Sequence, residues 1–199
     1  MTEQAQKVLV VGPSWVGDMV MAQSLFIHLK KTRPGVEIDV LAPLWSEPIL
    51  ARMPEVNRAL ETPLAHGELG LGIRRRLGRE LRAQNYGQAI LLPNSLKSAL
   101  IPCFAKIPRR TGWRGELRYG LLNDMRKLDE VALPLMVERF VALGQDAEGP
   151  LPREMPVPQL VVDPGRAEAC RSKFGLAADR PILALCPGAE FGPAKCWPA

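Results

Sequence analysis

The sequence predicts an α/β protein built on a Rossmann-like parallel sheet. Two observations carry that reading. Short β-forming runs without polar alternation, such as residues 7–11 and 88–92, read as strands buried on both faces. Between such runs stand segments with apolar residues at helical spacing, joined by short links. Alternation of this kind implies a parallel sheet covered by helices on each side. At 199 residues there is chain enough for a core and for one to two domains.

The first strand, 7–11, enters a tight loop bounded by Gly12 and Gly17, with Asp18 where the next helix begins. Residues 19–31 read as that helix, with Met19, Ala22, Phe26 and Leu29 on one face. Pro34-Gly35 breaks it, and 36–41 is a second strand. A helical stretch over 45–53 leads to a strand at 59–62. A basic amphipathic helix over 73–84 precedes the strand 88–92 and a helical piece over 95–105. Residues 1–150 form the first domain on this reading. The composition then shifts: EGPLPREMPVP carries Pro150, Pro152, Pro156 and Pro158, an extended linker over 151–160. Beyond it, Asp163-Pro164 fits a helix cap followed by proline at the first helical position, and Gly175 fits the stop. One more buried strand is expected at 181–186, so 161–199 reads as the beginning of a second domain, cut off after one helix and one strand.

Composition narrows the class. With 47% hydrophobic and 24% charged residues, the chain has a globular profile. No apolar run approaches the roughly 20 residues of a membrane span, and the first residues lack the features of a signal peptide. Cys103, Cys170, Cys186 and Cys196 lie far apart with no CxxC, which argues against a zinc site or a disulfide scaffold and for the cytoplasm. The net charge of +5 is uneven: residues 73–126 hold twelve Lys or Arg against three acids, +9, leaving −4 elsewhere. A basic middle third points to an anionic partner.

The first loop is the most informative segment. Gly12 and Gly17 have the separation of a phosphate-binding P-loop, but a P-loop follows its second glycine with Lys and Ser or Thr. Asp18 stands there instead, and its negative charge would repel a phosphate. The carboxylate suits a general base; the alternative is a helix cap, for which aspartate is a preferred residue. A helix N-terminus favours negative charge in either role.

The motifs GPSWVGDMVMAQSL, LLPNSLKSAL, IPRRTGWRGELRYGLLND, PLMVERF and CPGAEFGPAK together resemble the lipopolysaccharide heptosyltransferases of glycosyltransferase family 9. The resemblance runs through the whole chain. It implies the two-domain GT-B fold, with an N-terminal domain that binds the acceptor, heptosyl-Kdo2-lipid A, and a C-terminal domain that binds ADP-L-glycero-D-manno-heptose. It implies inverting transfer of the second inner-core heptose, without a metal or other cofactor, at the cytoplasmic face of the inner membrane. Two departures stand out. The chain ends where the donor domain continues in the family, so it is expected to be incomplete and inactive alone. Cys196 also occupies a position, between Lys195 and Trp197, where a basic residue is expected.

The resemblance puts the catalytic base at Asp18. Gly17 is expected to allow positive φ or close approach, while Ser14 and Trp15 line the same loop toward the acceptor; for Trp15 simple packing is the alternative. The chain has no Asp-x-Asp motif, so charge on the departing diphosphate falls to Lys195 and to backbone N–H groups near Gly188 and Gly192. The bland reading of Lys195 is a surface lysine in a turn. Asn94, Lys97, Arg110, Arg114 and Arg118 are expected along the acceptor cleft. Arg74, Arg75, Arg76 and Arg79 are expected to meet lipid A phosphates or the membrane surface, with a solvated charged face as the alternative. Neither His28 nor His66 has a sequence partner that marks it as catalytic, and His28, within the first helix, reads as structural.

Two other classes weaken on inspection. A dinucleotide oxidoreductase would need GxGxxG in the first loop and an acid ending the second strand. The chain instead holds Asp39 inside that strand. A nucleic-acid module fits the basic stretch, but neither an RNP-like motif nor a helix-turn-helix signal is present.

Overall fold

The computed structural model describes residues 7–64, 68–147, 149–177, 179–188 and 196–197. The chain forms two compact units, Met1–Val161 and Val162–Ala199.

In the first unit, β1 (Lys7–Val11) pairs in parallel with β2 (Glu37–Ala42) on one side and β4 (Gln88–Leu91) on the other. β3 (Val56–Glu61) flanks β2, while β5 (Arg109–Trp113) and β6 (Asp124–Arg126) extend the sheet beyond β4. The order is β3-β2-β1-β4-β5-β6, parallel throughout. Successive side chains of β1 point to opposite faces. Val8 and Val10 therefore enter one cluster with Met19, Phe26 and Leu29 of α1 (Val16–Thr32) and Phe140 and Leu143 of α5 (Met136–Gly144). Leu9 and Val11 enter the other, with Leu81 of α3 (Leu71–Leu81) and Ile101 of α4 (Leu100–Phe104). The expected strand without polar alternation is thus explained: both faces are covered.

The short α2 (Glu47–Leu50) follows a 3-10 turn at Leu44–Ser46 and sends Leu50 into the first cluster. Another 3-10 turn, Leu96–Ala99, runs into α4 and replaces the single helical piece expected over 95–105. Three elements have no counterpart in the expectation: β5, β6 and α5. The sequences RRTGW and DMR lack an apolar run because their polar side chains bond one another. Asp124 accepts hydrogen bonds from Arg109 Nε at 2.9 Å, Thr111 Oγ1 at 2.9 Å and Arg126 Nη2 at 3.0 Å. This network lies at the amino-terminal edge of the sheet, where Gln88 also meets Thr111 and Arg33.

α1 is buried on more than its sheet side. Gly144 of α5 packs so closely that a Cβ there would lie 2.6 Å from Leu25 Cδ1. The proline-rich segment, expected as an extended linker over 151–160, forms neither helix nor strand and is fastened to this helix. Ser24 Oγ donates to Pro156 O at 2.6 Å, and Gln23 exchanges two hydrogen bonds with the backbone of Gln159. Val161 likewise exchanges hydrogen bonds with Arg52.

In the second unit, α6 (Pro164–Phe174) matches the expected cap and stop: Asp163 Oδ1 accepts from Arg166 N at 3.1 Å, and Gly175 adopts φ +61°. The strand expected at 181–186 does not form. Ile182, Leu183 and Leu185 are exposed, and no other strand exists among the described residues of this unit for them to pair with.

Burial alone would raise the Asp124 carboxyl, but hydrogen bonds from Arg126, Thr111 and Arg109 outweigh it and hold the pKa at about 2, against an ordinary 3.8. Because the folded value lies below the unfolded one, the network's contribution is full above the ordinary pKa and is lost as pH falls toward about 2. Asp124→Asn is expected to remove roughly 2 kcal/mol at neutral pH and to flatten the acid limb. Urea unfolding at a series of pH values measures both; an unchanged acid slope would contradict the assignment.

Candidate active site at the carboxyl edge of the sheet

In an open parallel sheet, ligands bind beyond the carboxyl ends of the strands where the strand order reverses. Here that point lies between β1 and β4. Gly12 N donates to Leu41 O at 2.9 Å and Leu92 N donates to Val11 O at 3.1 Å, so pairing continues past the strand ends. The loops after β1 and β4 therefore leave the sheet side by side.

After β1 the backbone turns at Gly12, where a Cβ would meet Met19 Cε at 2.7 Å and Val40 Cγ1 at 3.3 Å. A larger residue would force the Met19 side chain to move and crowd Val40 and Ala42. Trp15 is the N-cap residue, with extended backbone, and its carbonyl accepts from Met19 N at 2.9 Å. α1 thus starts at Val16, earlier than expected, and Asp18 sits inside its first turn. This removes the capping role weighed for Asp18. Its carboxylate is partly exposed and makes no hydrogen bond or ion pair to another described residue. Gly17 also differs from expectation: its φ is not positive, and nothing lies within 4 Å of where its Cβ would be. The glycine leaves open space beside Asp18. Ser14 is exposed, and Trp15 is 48% exposed.

The loops after β4 and β5 interlock. Asn94 O accepts from Glu116 N at 3.2 Å, and Glu116 Oε2 accepts from Leu96 N at 2.7 Å. A Cβ at Gly115 would fall 2.4 Å from Asn94 O, so only glycine allows this approach. Arg118 sits beneath with no exposed surface. Its guanidinium donates to Pro93 O at 2.8 Å, to Asn94 Oδ1 at 3.3 Å and to Trp113 O. Burial lowers its pKa and nearby Glu116 opposes that shift.

Several expected contacts are corrected by these positions. Arg118 is a brace under the loops and has no surface to offer an acceptor. Arg110 lies near the amino end of β5, where it donates to Leu121 O and Ile107 O. Arg74 turns inward from α3 and donates to Leu69 O, Lys97 O and Glu68 O, so it cannot meet a membrane. The reason is shared: a guanidinium has five donors and is held wherever loop carbonyls converge. Arg75, Arg76 and Arg79 remain exposed on α3, with Arg76 4.0 Å from Glu80. Lys97 is half-buried, whereas Asn94 and Arg114 are exposed at the carboxyl edge. The structure therefore brings Ser14, Trp15, Gly17, Asp18, Asn94, Lys97 and Arg114 to one edge. Gly188 is exposed in the second unit, while Gly192, Lys195 and His66 lie outside the described residues. Gly115 and Glu116 escaped the sequence reading as structural pieces of the site, whereas Gly12 was read as one boundary of the first loop. The glycine in GWRGELR was the available signal for the interlock.

Among the described residues, no group of three or more His, Cys, Asp or Glu is placed to hold a metal ion.

The family "Glycosyltransferase family 9 (heptosyltransferase)" matches residues 74–199. The chain is 58% identical to lipopolysaccharide heptosyltransferase 2 of Salmonella typhimurium, over 96% of this chain and 57% of that protein. It is 55% identical to the Escherichia coli protein of the same name, with the same coverage. The solved structure of E. coli ADP-heptose LPS heptosyltransferase II superposes with a TM-score of 0.89 at 52% identity, covering 97% of this chain and 58% of that one. The chain thus spans a little over half the length of these relatives, and its α/β sheet matches that of GT-B heptosyltransferases.

The two loop glycines make opposite demands on a side chain. Gly115→Ala forces a Cβ onto the Asn94 backbone and is expected to lower stability by about 1–3 kcal/mol. Gly17→Ala fills open space in a helix and is expected to raise it by roughly 0.5–1 kcal/mol. Chemical unfolding of the two variants side by side decides; equal effects would refute the contrast.

Proposed function

The chain belongs to glycosyltransferase family 9, the heptosyltransferases, and on that footing we propose that the protein carrying it transfers L-glycero-D-manno-heptose from ADP-heptose to the first heptose of the Kdo2-lipid A inner core. The observation that carries the reading is Asp18: a partly exposed carboxylate with no partner among the described residues, beside open space, at the switch point of the sheet. In the proposed reaction the acceptor hydroxyl gives its proton to the Asp18 carboxylate. Its oxygen attacks the anomeric carbon from the face opposite the nucleotide, and the bond to the diphosphate breaks with its electron pair leaving on ADP. The anomeric configuration inverts. Lys195 and the backbone near Gly188 and Gly192 supply the charge that steadies the departing diphosphate in this scheme, with no metal ion required. A base of this kind contributes about 10²–10⁴-fold.

Ser14, Trp15, Asn94, Lys97 and Arg114 form the acceptor side of the proposal. Arg75, Arg76 and Arg79 form a contact with the anionic surface of the inner membrane, on its cytoplasmic face. Support for this contact is a cationic helix face flanked by Leu69 and Leu71, which are 49% and 51% exposed. No helix among the described residues is long and apolar enough to cross a membrane.

Asp18→Asn in the full-length protein is expected to lower turnover by at least about 10²-fold with melting temperature unchanged, read as ADP release together with the mass gain of the acceptor. Near-normal turnover would exclude Asp18 as base. Charge reversal of Arg75, Arg76 and Arg79 together is expected to abolish sedimentation with vesicles containing anionic lipid while leaving the fold intact. Persistence of that sedimentation would rule out the membrane contact.

A further inference from the structure

Asn94 is held from behind at both its backbone and its side chain. Its carbonyl is engaged by Glu116 N, and its Oδ1 faces Arg118 Nη2 at 3.3 Å. A guanidinium offers donors only, so the amide atom that faces it must be the oxygen. The Nδ2 group, with its two hydrogens, is therefore turned away from Arg118, and it makes no hydrogen bond to any described residue. Arg118 has little freedom to yield: it is fully buried, its Nη1 donates to Pro93 O, and the Nη2 that faces Asn94 also donates to Trp113 O. A free asparagine can rotate its amide to suit either a donor or an acceptor. Asn94 has lost that choice, although its residue stays exposed at the switch point.

We infer that Asn94 is a specificity residue of fixed polarity, presenting two N–H donors to an oxygen of the sugar acceptor, with Arg118 as the positioning residue that sets that polarity. The ligand atom it reads is a hydrogen-bond acceptor, a hydroxyl or carboxylate oxygen, and an acceptor analogue with an ammonium at that place is rejected. Discrimination of this kind is strong because a mismatched polar group is left unpaired. The inference rests on the transferase reading and narrows it.

Asn94→Asp and Asn94→Ala separate this role from a structural one. The aspartate keeps an oxygen against Arg118 and turns the hydrogen bond into an ion pair, so it preserves the brace while replacing the outward donors by an oxygen. Alanine removes both. In the full-length protein, Asn94→Asp is expected to keep or raise the melting temperature and to raise the acceptor Kd and KM by about tenfold or more, with donor KM and kcat little changed. Asn94→Ala is expected to raise them less. If bracing were the only role, the order would invert, with alanine the more harmful; that order, or no change in either variant, overturns the inference. Arg118→Lys, which cannot span the same oxygens, is expected to raise acceptor KM more than it lowers kcat. Acceptor binding is measured by calorimetry in detergent alongside turnover. Absence of transfer by the unsubstituted protein would then count against the transferase reading, while the order of the two Kd values decides Asn94 independently.

Discussion

Val11 gives its carbonyl to Leu92 while Gly12 reaches back to Leu41, so the end of β1 is paired on both sides at the point where strand order reverses. The rest of the unit depends on this double pairing. It forces Val8–Val11 to be apolar on both faces, which sets the two cores. It brings the loops after β1 and β4 together although some eighty residues separate them in sequence. It also seats Gly12 close against Met19, because α1 begins within a few residues and packs directly over the strand it has just left.

The arginines follow a division of labour that charge counting does not reveal. Arg74, Arg110 and Arg118 hold loop carbonyls. Arg126 completes the network around Asp124. Only part of the basic middle third remains available to an outside anion, including Arg75, Arg76 and Arg79 on α3 and Arg114 at the carboxyl edge. The interior arginines shape the surface instead, fixing Asn94, Lys97 and the chain between β5 and β6 in one arrangement. A charge at the protein surface tunes attraction; a charge beneath it tunes geometry.

This division also explains how far the sequence could be read. β1, β2, β4, α1 and α3 were legible because each carries an apolar pattern of its own period; β3, expected at 59–62, forms over Val56–Glu61 and is largely exposed. α6 was legible because Asp163, Pro164 and Gly175 are local signals whose geometry needs no tertiary partner. β5 and β6 were hidden because their polar residues are satisfied by one another across the sheet, a fact that exists only once the strands pair. Asp18 stood out through the loop motif, but its place within the first turn depended on a helix start that no capping side chain marks. Arg74 and Arg75 are neighbours in sequence, yet one is buried and the other exposed. Composition assigns them alike; the packing of α3 against α4, close enough to require Gly78, separates them.

The fastening of the proline-rich segment to α1 bears on how such proteins exchange parts. Gln23 and Ser24 are almost wholly buried; Ser24 bonds the backbone of Pro156, and Gln23 bonds the backbone of Gln159 as well as Glu55 Oε2. A chimera joined upstream of that segment, with a foreign sequence laid along α1, would leave Ser24 Oγ and Gln23 Oε1 without these partners, at about 1–3 kcal/mol each. A junction beyond Val161 leaves those bonds intact. The recombination point is therefore set by hydrogen bonding to the helix that carries Asp18, and the prolines travel with the first unit.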